Sequence, residues 1–426
     1  MAKTRVIIIG GGFAGINAAR KLKKASMEVL LIDRTNHHLF QPLLYEVATA
    51  ALSPGEIATP LREIFSKQNN TSVIMGEVVQ IDTKNQQIQI ANGDLYGYDY
   101  LIAAPGARHA YFGRNDWEEF APGLKTIRDA LKIREQILLS FEKAERLHVG
   151  EEVAKYLNFV IIGGGPTGVE MAGAIAEIAH KTLFSNFRRI KPEKSKIYLI
   201  EALPQILPSY PPKLAERARR DLEKLGVTVV TGKKVTQITA DQVQVESLSI
   251  PSQNVIWAAG NQASSLLKTL NAPLDRQGRV IVGPDLSLPD APNIFVIGDA
   301  ACVMHQNNPL PATAPAAIQE GRYVAKIIEK NLPPNKRPPF RFTDKGSMAT
   351  IGKAKAIVML GKLQFTGMFA WLMWAFIHIA YLIGFRNRLG VMLEWITSTI
   401  TGQRGVRLIT NRPIDPEIPR SSPPSK

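Results

Sequence analysis

A glycine-rich loop near the amino terminus limits the possible folds of this chain more than any other feature. Gly10, Gly12 and Gly15 form a G-x-G-x-x-G loop directly after the β-branched run 5–9. In a strand–loop–helix unit, such glycines permit a tight turn and close approach of a pyrophosphate, and the N–H groups at the helix start neutralise phosphate. A second apolar run ends at Asp33, where an acid binds ribose hydroxyls. The pattern therefore predicts an α/β, Rossmann-like domain that binds a dinucleotide.

The same pattern recurs in the middle of the chain. Gly163, Gly165 and Gly168 follow the apolar run 158–162, and a later strand-like run delivers Glu201. An acid at this position repels the 2′-phosphate of NADP and so favours NADH, and the alternative is an acid that merely caps a strand. Two such domains imply two dinucleotides, a bound flavin dinucleotide on the first and a nicotinamide substrate on the second, stacked for hydride transfer.

Composition narrows the function classes. The chain has 426 residues and one cysteine, Cys302, which excludes an enzyme that works through a redox-active cysteine pair. The net charge is +15, and the last 96 residues carry 14 basic and 4 acidic side chains beside the most apolar stretch. This combination suits an anionic membrane surface. A nucleic-acid patch is the alternative, but no zinc-finger, RNP or helix-turn-helix signature supports it. No Cys/His cluster predicts a metal site.

Five short runs carry a family resemblance. They are His37-His-Leu-Phe-Gln-Pro-Leu-Leu-Tyr-Glu-Val-Ala48, Gly163-Gly-Gly-Pro-Thr-Gly-Val-Glu170, Ile297-Gly-Asp-Ala-Ala301, Phe369-Ala-Trp-Leu-Met-Trp374 and Ile383-Gly-Phe-Arg-Asn-Arg388. Together they resemble the type II, non-proton-pumping NADH:quinone oxidoreductases, within the pyridine nucleotide-dependent flavoproteins that have two dinucleotide domains. The first and last runs are specific to the family, whereas the glycine loops and Gly-Asp-Ala belong to the whole class.

The resemblance implies where the cofactors bind. FAD would lie along the first glycine loop and Asp33, with Asp299 hydrogen-bonded to the flavin ribityl chain and Ala300 in the same cofactor-binding run. NADH would lie along the second glycine loop and the acid that follows it. The runs 100–106 and 255–260 match the two interdomain crossings of this class, which makes the NADH domain an insertion within the FAD domain.

Two residues are candidates for catalysis. Glu170 matches the family's acid near the flavin and the nicotinamide, where a buried carboxyl can relay protons during quinone reduction. The alternative is an acid in a first helical turn, favoured by the helix dipole. Gln319 matches a glutamine at the quinone headgroup, and a helix-surface amide is the alternative. Many relatives have Ala-Gln where this chain has Ala314 and Pro315, which leaves the headgroup contacts open.

The division into domains follows from these motifs. We predict an FAD-binding domain in two parts, 1–115 and 266–335, and an NADH-binding domain at 116–265. An apolar helical membrane-attachment region is predicted at 336–412, and a disordered tail at 413–426.

The uncharged run from Leu363 to Phe385 has 23 residues, long enough to span a bilayer. Its Trp and Tyr side chains lie in mid-run rather than at the ends, which favours monotopic attachment over a spanning helix. A core-packing or dimer helix is the third interpretation and would suit a homodimer. No secretory apolar region precedes the first strand, so the expected location is the cytoplasmic face of a membrane, in peripheral attachment.

The function expected from these features is that of a single-subunit NADH:quinone oxidoreductase. It would pass hydride from NADH to FAD and two electrons to a membrane quinone, without pumping protons. Two alternatives stay open: an FAD-dependent NAD(P)H reductase with another acceptor or a biosynthetic quinone, and a flavin-containing signalling or nucleic-acid-binding protein.

Overall fold

The computed structural model describes residues 3–147, 152–305 and 308–410. The strands are β1 Arg5–Ile9, β2 Glu28–Asp33, β3 His37–Leu39, β4 Ala58–Pro60, β5 Thr71–Met75, β6 Val78–Asp82, β7 Gln87–Ile90, β8 Leu95–Gly97, β9 Tyr100–Ala103, β10 Ala107–His109, β11 Asn158–Ile162, β12 Lys196–Glu201, β13 Val227–Thr231, β14 Val235–Ile238, β15 Gln242–Val245, β16 Leu248–Pro251, β17 Asn254–Trp257, β18 Asn261–Ala263, β19 Val280–Ile281, β20 Ser287–Leu288, β21 Ala291–Val296, β22 Ala301–Cys302, β23 Met304–His305, β24 Asn308–Pro309, β25 Ser347–Thr350, β26 Ala356–Leu360 and β27 Leu363–Thr366. The α-helices are α1 Phe13–Lys21, α2 Leu44–Ala48, α3 Pro54–Ile57, α4 Leu61–Phe65, α5 Ile127–Arg146, α6 Ala154–Leu157, α7 Pro166–Glu177, α8 Pro212–Glu223, α9 Ala314–Glu329, α10 Gly367–Tyr381 and α11 Phe385–Thr401.

The first domain is built on a six-stranded sheet with the order β20-β21-β9-β1-β2-β5. Its strands are parallel except for the antiparallel edge strand β20. Val6, Ile7 and Ile8 of β1 are fully buried, as expected for a central parallel strand. Helix α9 packs closely on α1. The approach is so close that a Cβ added to Gly321 would lie only 2.2 Å from the carbonyl oxygen of Ala14. A glycine at this position therefore allows the two helices to touch.

The second domain contains a four-stranded parallel sheet with the order β13-β12-β11-β17. Every residue of its central strand β11 is buried. The chain leaves the first domain after β9 and has returned to it by β20 and β21, the latter of which pairs with β9. The two crossings meet in a short antiparallel ribbon of β10 and β18. The predicted fold class, with one Rossmann-like domain inserted in another, is confirmed, and the residue boundaries of the domains stay predictions.

The C-terminal region consists of the antiparallel sheet β25-β26-β27, followed by α10 and α11. Gly367 (φ +76°) and Gly384 (φ +91°) have backbone conformations that other residues rarely adopt, and they turn the chain where α10 and α11 begin. The uncharged run 363–385 is therefore a strand, a 15-residue helix and a turn. Among residues 3–147, 152–305 and 308–410, no helix is long and apolar enough to cross a membrane. The predicted tail 413–426 lies outside the described residues.

The two C-terminal helices bury one face and expose large apolar side chains on the other. Helix α10 buries Trp374, and α11 buries Val391 and Trp395, in a core that also contains α2 and α7. The exposed apolar side chains of the two helices are Met368, Phe369, Leu372, Phe376, Tyr381, Phe385, Leu389, Met392, Leu393, Ile396 and Ile400. So large an apolar surface marks a site of interaction with lipid or protein.

Candidate active site

The first glycine loop is shaped as a cradle for phosphate. Gly12 has φ −75° and ψ −168°, and a Cβ added there would meet no heavy atom within 4 Å. In contrast, a Cβ on Gly15 would lie 1.9 Å from the carbonyl oxygen of Gly10, so the loop can pack on α1 only with glycine there. The Asp33 carboxylate, at the end of β2, accepts a hydrogen bond from Gly11 N at 2.6 Å. The open space at the N-terminus of α1 fits the pyrophosphate of a dinucleotide.

The second glycine loop repeats this geometry. Gly165 has φ −71° and ψ −178° with open space on its Cβ side, whereas a Cβ on Gly168 would lie 1.8 Å from the carbonyl oxygen of Gly163. Glu201, at the end of β12, accepts a hydrogen bond from Gly164 N at 2.6 Å. A carboxylate has about four acceptor sites, so this bond leaves lone pairs for ribose hydroxyls. The two loops are equivalent in shape, and each fits one dinucleotide.

One large cavity lies between the two domains and the C-terminal region. Its volume is about 1050 Å³, at the upper end of the roughly 300–1,000 Å³ typical of small-molecule sites. Residues from all three parts of the chain line it, including Phe13, Phe40, Pro42, Pro166, Glu170, Pro315, Ile377 and His378. The first residues of α1 and α7 both line this cavity. Two dinucleotides bound at the two glycine loops could therefore extend their redox-active rings into the same space.

Glu170 lies in the wall of the cavity, on the helix whose N-terminus forms the second cradle. Burial raises the pKa of its carboxyl to about 8, and the neighbouring Glu46 acts in the same direction. A weak hydrogen bond from Thr350 N, at 3.4 Å, acts in the opposite direction. The carboxyl therefore holds a proton at neutral pH beside the cavity, as is typical of a general acid.

Gly298, Asp299 and Ala300 form a short turn after β21, close to the first cradle. A Cβ on Gly298 would lie 3.3 Å from the Cβ of Ala14 in α1, and Gly298 N donates a hydrogen bond to the Glu320 carboxylate at 2.5 Å. Burial, together with the negative charge of Asp299, raises the pKa of Glu320 to about 7, against the lowering effect of the hydrogen bond from Gly298 N. The turn thus places Asp299 where α1 meets α9, next to the proposed flavin site.

The loop that contains His38 and Phe40 closes the cavity beside α1. Phe40 lines the cavity, and its ring contacts Phe13 with 5.8 Å between the ring centroids. Burial lowers the pKa of His38 to about 4, and its Nδ1 lies 3.0 Å from the carbonyl oxygen of Gly11. Gln41 donates a hydrogen bond to the carbonyl oxygen of Lys125 at 3.1 Å. These contacts fix the loop against the first glycine loop.

Two family models match this chain. Residues 4–321 match the pyridine nucleotide-disulphide oxidoreductases, and residues 345–404 match the NDH2 C-terminal domain. Over 423 residues, the chain is 45% identical to the type II NADH:quinone oxidoreductase Ndh of Mycobacterium tuberculosis, with 96% of this chain and 90% of that protein covered. This chain belongs to the type II NADH:quinone oxidoreductase family. The resemblance carried by the five runs is confirmed.

Solved structures share the fold of this type II oxidoreductase. The structure of NDH2 from Plasmodium falciparum in complex with NADH matches with a TM-score of 0.87 and 22% identity, over 95% of this chain and 100% of that one. The sulfide:quinone oxidoreductase of Aquifex aeolicus matches with a TM-score of 0.73 and 18% identity, over 93% of this chain and 94% of that one. The same fold therefore occurs in a protein solved with NADH and in a sulfide:quinone oxidoreductase.

In this family member, Gln319 is not among the described residues that line the cavity. Its Nε2 donates to the carbonyl oxygen of Thr343 at 2.9 Å, and its Oε1 accepts from Thr343 N at 2.9 Å. The amide thus binds α9 to the chain that leads into β25. Pro315, at the position where many relatives have glutamine, does line the cavity, and it has no side-chain donor to offer there.

Sequence reasoning missed a group of buried polar side chains next to Glu170. Tyr45, Glu46, Glu177 and Arg404 are each less than a tenth exposed. Tyr45 and Glu46 belong to the family-specific run 37–48, which was the available signal. Arg404 donates to a backbone carbonyl 355 residues away in the chain, and no local pattern indicates such proximity.

Proposed function

We propose that this protein is a single-subunit NADH:quinone oxidoreductase with FAD on the first cradle and NADH on the second. The observation that carries the proposal is the pair of equivalent cradles whose helices, beginning at Phe13 and Pro166, line one cavity in a member of this family. Bound FAD supplies a hydride acceptor and a donor of two electrons. NADH is the hydride source and a quinone is the electron acceptor.

The residues of each cradle bind and orient one dinucleotide. The residues proposed to hold FAD are Gly10, Gly12, Gly15, Asp33, Asp299 and Ala300, and those proposed to hold NADH are Gly163, Gly165, Gly168 and Glu201. The apolar walls at Phe13, Phe40 and Pro166 exclude water from the space where the two ring systems meet. Correct orientation of the nicotinamide supplies much of the rate enhancement that a protein can give to hydride transfer.

Glu170 is proposed to supply a proton to the quinone. NADH, a quinone and one proton give NAD⁺ and a quinol, so one of the two new O–H hydrogens must come from the protein or from solvent. With a pKa of about 8, the Glu170 carboxyl is protonated at neutral pH and lines the cavity. Its O–H bond breaks as an O–H bond of the quinol forms, and the carboxylate that results must then be reprotonated.

Gln319 is proposed as a positioning residue for the same site. Through its two hydrogen bonds to Thr343, it fixes the segment whose next residues, Asp344 and Lys345, line the cavity. Pro315 presents an apolar ring at the place where many relatives have an amide. A quinone carbonyl therefore finds no side-chain hydrogen bond from residue 315 in this protein.

The exposed face of α10 and α11 is proposed to lie in one leaflet of a membrane, on its cytoplasmic face. Phe376 is 74% exposed and Phe385 is 81% exposed, and the neighbouring Arg386 is placed to meet anionic headgroups. Ile377 and Tyr381, on the same helix, line the cavity, so a quinone can leave the lipid alongside α10. Lipid rather than nucleic acid is the proposed partner of this basic region. The homodimer stays a prediction, which sedimentation in detergent checks.

The experiment that tests the function is anaerobic stopped-flow absorbance of the flavin in the purified holoenzyme. NADH should bleach the flavin band, and a soluble short-chain quinone added afterwards should restore it. Bleaching without recovery would leave a flavin reductase with another acceptor, and no flavin in the folded protein would contradict the proposal. Cosedimentation with anionic vesicles, compared with neutral vesicles, tests the membrane surface separately.

A further inference from the structure

A buried carboxyl without an ion-pair partner lies close to Glu170. Glu46 is 8% exposed and forms no salt bridge with any residue in the described parts of the chain. It accepts hydrogen bonds from Trp395 Nε1 at 2.8 Å and from the Tyr45 hydroxyl at 3.1 Å, and both donors are neutral. The adjacent Glu177 differs, because Arg404 pairs with it at 3.1 Å. A buried charge is costly unless it is paired, so Glu46 is placed to carry a proton.

A line of hydroxyl groups leads from Glu46 to Glu170. The Tyr45 hydroxyl lies 3.1 Å from Glu46 Oε1 and 3.1 Å from Thr350 Oγ1. The backbone N–H of the same Thr350 donates to Glu170 Oε1 at 3.4 Å. The last step, from the threonine hydroxyl to the Glu170 carboxylate, follows from this backbone contact, which brings residue 350 against Glu170. A proton therefore has a short path between the two carboxyls through neutral groups.

A second, small cavity continues this line to the protein surface. Its volume is about 50 Å³, and a single water needs a cavity of about 10–15 Å³. Tyr45, Glu46 and Thr350 line it on the inner side, and Arg404 and Thr399 line it on the other. Thr399 is also exposed, and the exposed polar residues Thr401 and Gln403 follow it, so the cavity opens at the polar C-terminal end of α11, beyond the apolar face.

We propose that Glu46, Tyr45 and Thr350, together with the small cavity beside them, carry protons from solvent to Glu170. This inference rests on the proposed role of Glu170 in quinone reduction. Each turnover would leave Glu170 as a carboxylate, and the main cavity on its other side is the space proposed for the cofactor and substrates. Solvent delivers a proton to Glu46, the Tyr45 hydroxyl accepts it while passing its own proton to Thr350, and Glu170 receives the last one. No group changes its oxidation state.

The electrostatic surroundings agree with proton transfer along this line. The pKa of Glu46 is raised to about 7, mainly by burial and to a smaller extent by Glu177, against the lowering effects of Trp395, Arg404 and Tyr45. Burial also raises the pKa of Glu170, to about 8, so both carboxyls can hold a proton near neutral pH. Burial raises the pKa of Tyr45 well above its ordinary value, so this hydroxyl exchanges protons without ionising. Lys353 also faces the small cavity, and burial lowers its pKa.

The test is a comparison of first and later turnovers in Glu46→Gln. Glutamine keeps one carbonyl oxygen, which can accept from Trp395 Nε1 in place of Oε2, and its NH2 group can donate to the Tyr45 hydroxyl, but the side chain cannot carry a proton. The reduction of the enzyme by NADH and the first oxidation by quinone should keep their rates, because Glu170 begins protonated. Steady-state kcat should fall at least about tenfold, with an increased solvent deuterium isotope effect and an unchanged KM for quinone. Tyr45→Phe and Thr350→Val should give the same signature, which protects the test if one variant folds poorly.

Glu177→Gln is the matched control, since it removes a buried carboxylate from the same cavity but leaves the line of hydroxyls intact. Equal loss of kcat in this control, or a normal kcat in Glu46→Gln, would overturn the proposal. Infrared absorption of protonated carboxyl groups gives a readout that is independent of turnover. The wild-type spectrum should contain a carboxyl band that is missing in Glu46→Gln and that titrates near neutral pH. A wild-type spectrum without such a band would also overturn the proposal. If the wild-type enzyme does not reduce quinone, the proposed function itself is contradicted. If Glu170→Gln slows the first turnover but the relay variants behave like the wild type, the role of Glu170 is supported and the relay is contradicted.

Discussion

Alanine at Gly165 should weaken NADH binding and leave the fold intact. The backbone at this position, φ −71° and ψ −178°, is open to any L residue, and an added Cβ meets no heavy atom within 4 Å. Alanine restricts the unfolded chain, which stabilises the fold, but it is a poorer N-cap residue than glycine. These opposed effects should leave the free energy of unfolding within about 1 kcal/mol of the native value.

The added methyl group occupies the space into which the pyrophosphate must fit. We therefore expect kcat/KM for NADH to fall at least about tenfold, which is about 1.4 kcal/mol of transition-state stabilisation. The flavin content and the rate of oxidation by quinone should be unchanged, because the first cradle is untouched. Gly168→Ala has the opposite profile, since its Cβ would begin 1.8 Å from the Gly163 carbonyl oxygen, where real contacts exceed 3.0 Å. The helix must move, at a cost of about 1–3 kcal/mol or more.

Denaturant unfolding and steady-state kinetics with NADH, measured on both variants, separate the two effects. Gly165→Ala should lose activity without losing stability, whereas Gly168→Ala should lose stability. An unchanged KM for NADH in a stable Gly165→Ala protein would refute the assignment of the second cradle to NADH. A fully stable Gly168→Ala protein would refute the packing argument for that glycine.

Three further predictions concern charged groups. Glu201→Ala should raise kcat/KM for NADPH relative to NADH, because the carboxylate that repels the 2′-phosphate is lost; an unchanged ratio would contradict its role. Arg404→Met should destabilise the protein by about 3–5 kcal/mol, since it leaves Glu177 buried without its ion pair. The partly exposed Arg407→Met is the control, with a change within about 0.5 kcal/mol in denaturant unfolding. Burial raises the pKa of Glu46, so its stabilising effect is present at acidic pH and is lost as pH rises toward about 7. Glu46→Gln should therefore flatten the dependence of the unfolding free energy on pH between about 4.5 and 7, and an unaltered slope would show that this carboxyl does not titrate there.

The two cradles could be predicted from the sequence because each is a local feature. A strand, a glycine loop, a helix start and an acid follow one another within one crossover, so their spacing alone defines the geometry. The insertion of one domain into the other could also be expected, from the crossings at 100–106 and 255–260. The structure pairs these crossings through β10 and β18, which agrees with that expectation.

Features that depend on distant contacts could not be predicted in the same way. The amide of Gln319 is engaged by Thr343 backbone, 24 residues later, and sequence alone could not distinguish this from a quinone contact. By hydropathy, residues 363–385 form one continuous uncharged run. In the structure, Gly367 and Gly384 have positive φ angles and interrupt this run at the starts of α10 and α11. Those two glycines were the local signal that a continuous helix was not formed.

Helix α10 forms part of the proposed membrane surface and also part of the wall of each cavity. Trp371 and Trp374 line the small cavity, Ile377 and His378 line the main one, and Phe376 is 74% exposed on the outer face. Close-packed interiors transmit a displacement rather than absorb it, so a shift of α10 on the lipid would move both walls together. The proposed quinone site and the proposed proton route therefore depend on the same helix. Lipid composition should then alter quinone reduction and proton supply in parallel, while the reduction of the enzyme by NADH, which needs neither, keeps its rate.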